Sequence, residues 1–171
     1  MAADTIADTK PFEIERSYDI PRADMWKAWT VRERMTQWWG PKGFTMNVRR
    51  LEPRPGGMNH YSMKTPDGHE MWGRAVFREV VPPERMVFVT SFSDADGGIT
   101  VHPMNPNWPR EMLTTITLTG AGGRTTVHVH WIPLNASDKE VNAFDAGHDS
   151  MRQGWGGTLD QLGDYVAGRK P

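Results

Sequence analysis

The sequence predicts an α+β fold: one strand, two short helices, a run of antiparallel strands, and a long closing helix. Three observations predict it. Between residues 44 and 132 polar and apolar side chains alternate with period two, broken at intervals by Gly, Pro and Asp turn signals. After that run the period changes, and Phe144, His148, Met151, Trp155, Leu159, Leu162 and Val166 recur at the three-and-four spacing of one helix face. The short connections between strands favour sequential hairpins, which leaves the helices together on one face of the sheet.

Taken in order, Phe12 to Ile20 reads as the first strand, closed by Pro21. Pro21 suits the start of a short helix from Arg22 to Trp29, with Met25, Trp26 and Trp29 on one side. Thr30-Val31-Arg32-Glu33 has the form of a capping box and predicts a second short helix carrying Met35, Trp38 and Trp39, stopped at Gly40-Pro41. Phe44, Met46 and Val48 alternate with polar residues in a second strand that ends at Pro53-Arg54-Pro55-Gly56-Gly57. Met58 to Lys64 is the third strand, and Thr65-Pro66-Asp67-Gly68 is its turn. The fourth and fifth strands are His69 to Val80 and Arg85 to Phe92, separated by Pro82-Pro83. Ser93 to Pro109 is long and rich in Gly and Pro, and such a loop in a compact domain is usually functional or disordered. We read it as a partial lid anchored by Trp108. Strands six and seven, Glu111 to Thr119 and Arg124 to Ile132, form a hairpin around Gly120-Ala121-Gly122-Gly123, and Ser137 or Asp138 caps the final helix.

The chain of 171 residues is expected to be one domain over residues 12–168, preceded by a flexible arm over residues 1–11. A formal net charge of −1, without any Lys/Arg cluster, argues against nucleic acid as a partner. The chain contains no cysteine, which excludes disulfides, thiolate catalysis and cysteine-bound metal and fits a reducing compartment. No apolar stretch approaches the roughly 20 residues of a membrane span, and Met1 to Lys10 is polar, unlike a secretory signal. A cytoplasmic protein without membrane association is therefore expected. Eight tryptophans and eleven methionines stand out against this background. They form either a core concentrated in a few large side chains or a cavity lined with flat rings and adaptable thioethers.

The closing helix carries Gly154-Trp155-Gly156-Gly157. Each such glycine costs about 1 kcal/mol relative to alanine, so a close backbone approach or a cavity beneath Trp155 is expected to offset it.

Several segments together resemble a known family. They are Tyr18-Asp19-Ile20-Pro21 with Trp26-Lys27-Ala28-Trp29-Thr30, Gln37-Trp38-Trp39-Gly40-Pro41, Arg54-Pro55-Gly56-Gly57, Val80-Val81-Pro82-Pro83-Glu84-Arg85, and Gly154-Trp155 with Leu159 and Leu162. In this order, from about Phe12 to Val166, they resemble the START-like (SRPBCC) superfamily. Within it they resemble the branch named after the C-terminal domain of the activator of the heat-shock protein 90 ATPase. The resemblance implies a helix-grip (START/Bet v-like) fold, in which a bent antiparallel sheet grips the C-terminal helix around an apolar cavity. Members of the wider superfamily bind lipids, sterols, polyketides or plant phenolics, and some are cyclases or hydrolases. The eukaryotic co-chaperone of the branch adds an N-terminal domain that contributes to chaperone binding. This chain has no room for one, so chaperone contact is not expected. Asn59 stands where such proteins often carry an aromatic, and facing inward it supplies a polar handle.

Candidate chemistry is sparse. His128 and His130 form half of a metal site on one strand face, but alternation turns Val127, Val129 and Trp131 to the core and the histidines outward. Asp145 and His148, three apart on a helix, can pair so that His148 acts as a general base; the simpler reading is an acidic first turn capping the apolar stripe. No nucleophile motif, phosphate loop or dinucleotide fingerprint is present. No cofactor and no metal is implied. The expected function is binding of a small apolar or aromatic molecule in a cavity lined by Trp38, Trp39, Asn59, Tyr61, Met63, Phe88, Trp108, Met112, His148, Met151, Trp155 and Leu159. The alternatives are a cyclase or hydrolase using that cavity, and a stress-linked protein-interaction module. Homodimerisation is compatible with the sequence, but no residue specifies it.

Overall fold

The computed structural model describes residues 3–168. Its strands are β1 (Phe12–Tyr18), β2 (Thr45–Leu51), β3 (Met58–Lys64), β4 (Glu70–Val81), β5 (Arg85–Ser93), β6 (Ile99–Thr100), β7 (Met112–Ala121) and β8 (Arg124–Pro133). The helices are α1 (Arg22–Thr30), α2 (Arg32–Met35), α3 (Asp138–Ala146) and α4 (His148–Gly168). All pairings are antiparallel, in the order β1-β8-β7-β5-β4-β3-β2, with β6 attached to β5. Strands β2 to β8 form a meander, and β1 returns from the far end of the sequence to pair with β8. The α1–α2 segment therefore spans the sheet from one edge strand to the other. Register shifts at Val48/Arg50 and Phe77/Glu79 mark β-bulges, a device that bends strands. This curved sheet around a long C-terminal helix is the helix-grip fold, as the sequence predicts.

Alternation decides which side chains enter the grip. Phe12, Met86, Phe88, Ile116, Leu118, Val127 and Val129 point inward and are buried. Leu159, Leu162 and Val166 of α4 meet them from above, at 0%, 0% and 4% exposure. Trp29, Trp38 and Trp39 pack edge to face with centroids 4.7–5.9 Å apart, and Trp38 donates its indole N–H to Ala28 O at 2.9 Å. The Tyr18 hydroxyl, whose pKa burial pushes up, donates to Leu159 O at 2.8 Å and ties α4 to β1.

Four details differ from the sequence reading. Ser137 does form a capping box with Glu140, but the helix it opens is only α3. The chain breaks at Gly147 (φ −100°, ψ 7°) and restarts as α4, and the position suits glycine because an added Cβ would stand 3.0 Å from the Trp108 ring. The Thr30–Glu33 capping box does not form. Thr30 donates instead to Trp26 O, and Val31 precedes α2 without a side-chain cap. The loop after β5 is not wholly irregular, since β6 folds back on β5. The arm before β1 is tied down along its described length. Ile6 bridges Leu134, Ala7 N donates to Pro133 O, Asn135 N donates to Thr5 O, and Asp4 pairs with Arg78 at 2.6 Å.

The glycines around Trp155 also differ from expectation. A Cβ at Gly156 or Gly157 would meet only ordinary contacts, at 3.5 Å from Arg16 and 3.8 Å from Lys42, and at Gly154 it would meet open space. Close backbone approach does not explain them.

Candidate ligand-binding recess

Between the N-terminal half of α4, the inner sheet face and the 93–109 loop lies an open recess of about 700 Å³. Its floor is Tyr61 and Met63 on β3, Gly73 on β4, Thr90 and Phe92 on β5, Met112 on β7 and Trp131 on β8. Met151, Trp155 and Thr158 of α4 form the roof, Trp39 to Pro41 one end, and His102, Met104, Asn105 and Trp108 the lid. Aromatic side chains follow one another around it. Tyr61 meets Trp39 (5.9 Å), Trp39 meets Trp155 (5.7 Å), and Trp155 meets Trp131 (5.9 Å). The series continues through Trp108 (6.1 Å) and His102 (6.3 Å) to Phe92 (4.6 Å).

Local sequence explains these positions. Gly73 has no side chain because the Tyr61 ring lies flat on its backbone; an added Cβ would stand 2.6 Å from the phenol. Trp108 docks into the α3–α4 break and touches Phe144 and Trp131, which holds the 93–109 loop to the body of the fold. Gly40, at φ 101°, lets the chain turn from the tryptophan cluster, and its carbonyl accepts from Thr158 and Gln161 of α4.

Seven of the side chains singled out in the sequence come together on this wall: Trp39, Tyr61, Met63, Trp108, Met112, Met151 and Trp155. Five do not. Trp38 is sealed in the tryptophan cluster, and Phe88 packs on Phe77 at 5.6 Å, further along the strand. Leu159 lies under the next turn of α4 in the core. Asn59 does face inward, but beyond the recess: its amide reaches Met35 Sδ at 3.3 Å and its carbonyl oxygen is buried without a partner. His148 stacks edge-on between Phe144 and Phe12, at 5.0 and 6.1 Å, away from the recess. Asp145 accepts from Thr9 rather than orienting His148, so the proposed acid/base pair is not assembled. His128 lies 3.2 Å from Glu13 on the other face of the sheet from buried Val127 and Val129. Among the described residues no three metal-ligating side chains converge.

Sequence reasoning missed His102, Asn105, Thr90, Phe92 and Trp131 as wall residues. Trp131 was legible as inward-facing from its alternation with His130. His102 and Asn105 sit in a loop without periodicity, where only the tryptophan anchor signalled a lid.

Electrostatically the wall is quiet. Among the described residues no Asp, Glu, Lys or Arg lines it. Burial pushes Tyr61 up to about 12, partly opposed by the nearby Trp39 indole N–H, so the phenol is neutral at pH 7. Burial also lowers the His102 pKa below its usual 6.5, which keeps the ring uncharged there. A shallower depression of about 420 Å³ beside β1 is walled by Glu13, Glu15, Arg16, His128 and Arg152, charges of both signs on the outer surface.

No helix among the described residues is long and apolar enough to cross a membrane. A family model described as "Activator of Hsp90 ATPase homolog 1-like protein" matches residues 19–167. Curated proteins give no match. Among solved structures, a Mycobacterium smegmatis protein superposes with a TM-score of 0.74 at 18% identity, covering 99% of each chain. An Arthrobacter aurescens protein gives 0.73 at 21% identity, over 92% of this chain and 86% of its own. The AHSA1 protein of Silicibacter pomeroyi gives 0.68 at 16% identity, over 98% of this chain and all (100%) of its own. At these identities the likeness shows the fold.

Proposed function

This chain belongs to the activator of Hsp90 ATPase homolog 1-like family, and from that premise we propose that it binds a small, largely apolar aromatic molecule in the recess beneath α4. One observation carries the reading: a space of about 700 Å³ walled by tryptophan, tyrosine and methionine and, among the described residues, by no carboxylate, ammonium or guanidinium. Drug-sized ligands occupy sites of roughly 300–1,000 Å³. Apolar burial contributes about 25 cal/mol per Å², so hiding a few hundred Å² supports micromolar affinity after association costs of several kcal/mol. Flat rings meet flat rings in offset or edge-on geometry, and the methionines adapt to the remainder of the ligand's shape.

Titration with 2-ethylnaphthalene against intrinsic tryptophan fluorescence tests this. Saturable quenching at micromolar concentrations is expected, weakened at least tenfold when Met112→Trp fills the floor, with the fold retained by circular dichroism. Quenching that never saturates, or that the filled variant leaves unchanged, would remove the recess as a binding site.

A further inference from the structure

Methionine is divided sharply between core and surface. Ten of the eleven methionines lie among the described residues; seven are at most 9% exposed, and Met58 and Met71 are partly buried. Met104 is 86% exposed, although it also lines the recess beside His102 and Trp108. Hydrogen bonds hold the backbone around it. Met104 N donates to His102 Nδ1 at 3.0 Å and Asn105 N to His102 O at 3.4 Å. Asn107 N donates to Asn105 Oδ1 at 3.2 Å and Trp108 N to Asn105 O at 3.0 Å. Trp108 in turn packs against Phe144 and Trp131. A tied knuckle of the lid thus presents one thioether to water at the mouth of an apolar recess.

We propose that Met104 is an oxidation-sensitive gate on the recess: conversion of its thioether to the sulfoxide weakens binding of apolar ligands and leaves the fold intact. The gate rests on the reading of the recess as a binding site. The reaction is oxygen-atom transfer from a hydroperoxide. The Sδ lone pair attacks the terminal peroxide oxygen and the O–O bond breaks. The proton of that oxygen passes to the departing one, which leaves as water or an alcohol; sulfur loses two electrons and gains the S–O bond. Access selects the site. Met63, Met112 and Met151 also line the recess, but at 9%, 2% and 5% exposure they meet peroxide chiefly when the chain opens locally. The same exposure separates stability from binding. In the free protein the new oxygen stays hydrated, so folding loses little. A ligand filling the mouth must strip that water, and an apolar ligand returns no hydrogen bond for it. Methionine sulfoxide reductases reverse the change, so the gate can be reset.

Brief exposure to dilute hydrogen peroxide tests this, followed by desalting, peptide mapping by mass spectrometry and titration with 2-ethylnaphthalene. Met104 is expected to gain oxygen before any other described methionine. Affinity for the probe should then fall at least threefold with the circular dichroism spectrum unchanged, and methionine sulfoxide reductases with a thiol reductant should restore it. Met104→Leu, whatever its starting affinity, should lose none of it to the same treatment. Met104→Gln, whose amide approximates the polarity of the sulfoxide, should bind the probe more weakly than Met104→Leu without any oxidant. Earlier oxidation of another described methionine overturns the gate and leaves the recess standing. Unchanged affinity in the Met104 sulfoxide form does the same, as does an equal loss to peroxide in Met104→Leu. Failure of the untreated protein to bind the probe overturns the recess reading itself, and the gate with it.

Discussion

The two halves of α4 lie over the same curved sheet and face different things. From Leu159 to Val166 the helix presents Leu159, Leu162 and Val166 to a filled core, where each is at most 4% exposed. From Met151 to Thr158 it presents Met151, Trp155 and Thr158 to a recess of about 700 Å³. The filled half carries the fold's stability, because every buried methylene there is matched by a neighbour. The open half forgoes part of that packing and leaves its side chains facing empty space. On the proposed function, stability and recognition are separated by two turns along one helix.

The largest effect should come from the filled half. Leu162→Ala is expected to lose about 3 kcal/mol of stability through a cavity that the rigid surroundings cannot close. Urea unfolding measures it, and probe affinity should be unchanged wherever the variant is folded. Trp155→Ala inverts the pattern. The residue is half-buried beside empty space, so a stability loss of only about 1–2 kcal/mol is expected, with at least a tenfold loss of aromatic binding. If Trp155→Ala destabilised as much as Leu162→Ala and left binding intact, the contrast between the halves would collapse.

Gly73→Ala is the next step down. The new methyl would stand 2.6 Å from the phenol, so the Tyr61 ring must move into the recess. Binding should weaken severalfold, and tyrosine-ring shifts in the NMR spectrum would report the displacement directly.

Acid gives a smaller, graded effect on the lid. The His102 pKa is lowered in the folded protein, so the unfolded chain takes up that proton first as pH falls through about 6.5. Its contribution to stability is therefore fully present above that pH and lost below it, levelling off once the folded state is also protonated. Protonation at Nδ1 would also remove the acceptor for Met104 N. Thermal melts from pH 8 to 5 should show this slope, and His102→Asn, whose Oδ1 can replace Nδ1, should flatten it. Smallest, and of opposite sign, is Gly157→Ala. Its Cβ meets nothing closer than 3.8 Å, so helix propensity alone should add about 1 kcal/mol without touching the recess, seen as a rise in Tm of a few degrees.

The fold was largely legible because its signals are local: period two for the strands, Gly and Pro at the turns, and Ser137 before Glu140 at the start of α3. What escaped was tertiary. Gly147 reads as one helical residue among others until Trp108 is placed against it. Thr30 reads as an N-cap until its hydroxyl is found on the Trp26 carbonyl of the preceding turn. For the recess, alternation identified which side chains face inward, and it served Tyr61, Met63 and Met112 well. Alternation carries no information about depth along the strand, so Phe88 faces inward exactly as expected yet lies in the filled end. His148 continues the apolar stripe of α4 but sits at the helix break, turned toward Phe12. The lid's contribution depended on where an aperiodic loop folds back, and no spacing rule reports that.

The return of β1 to β8 has a consequence for the order of folding. The hydrogen bond from Tyr18 to Leu159 joins residues 141 apart in sequence, and the β1–β8 ladder must close a loop almost as long. Closing such loops delays the entropic return on each contact until late, and folding slows as contacts become less local. The β2–β8 meander can assemble hairpin by hairpin, but the roof over the recess arrives only after both chain ends have come home. On the proposed function, a ligand in the recess therefore cannot template early folding. It acts afterward, slowing departure of the last-docked helix, and its mark should be a lower unfolding rate with an unchanged folding rate.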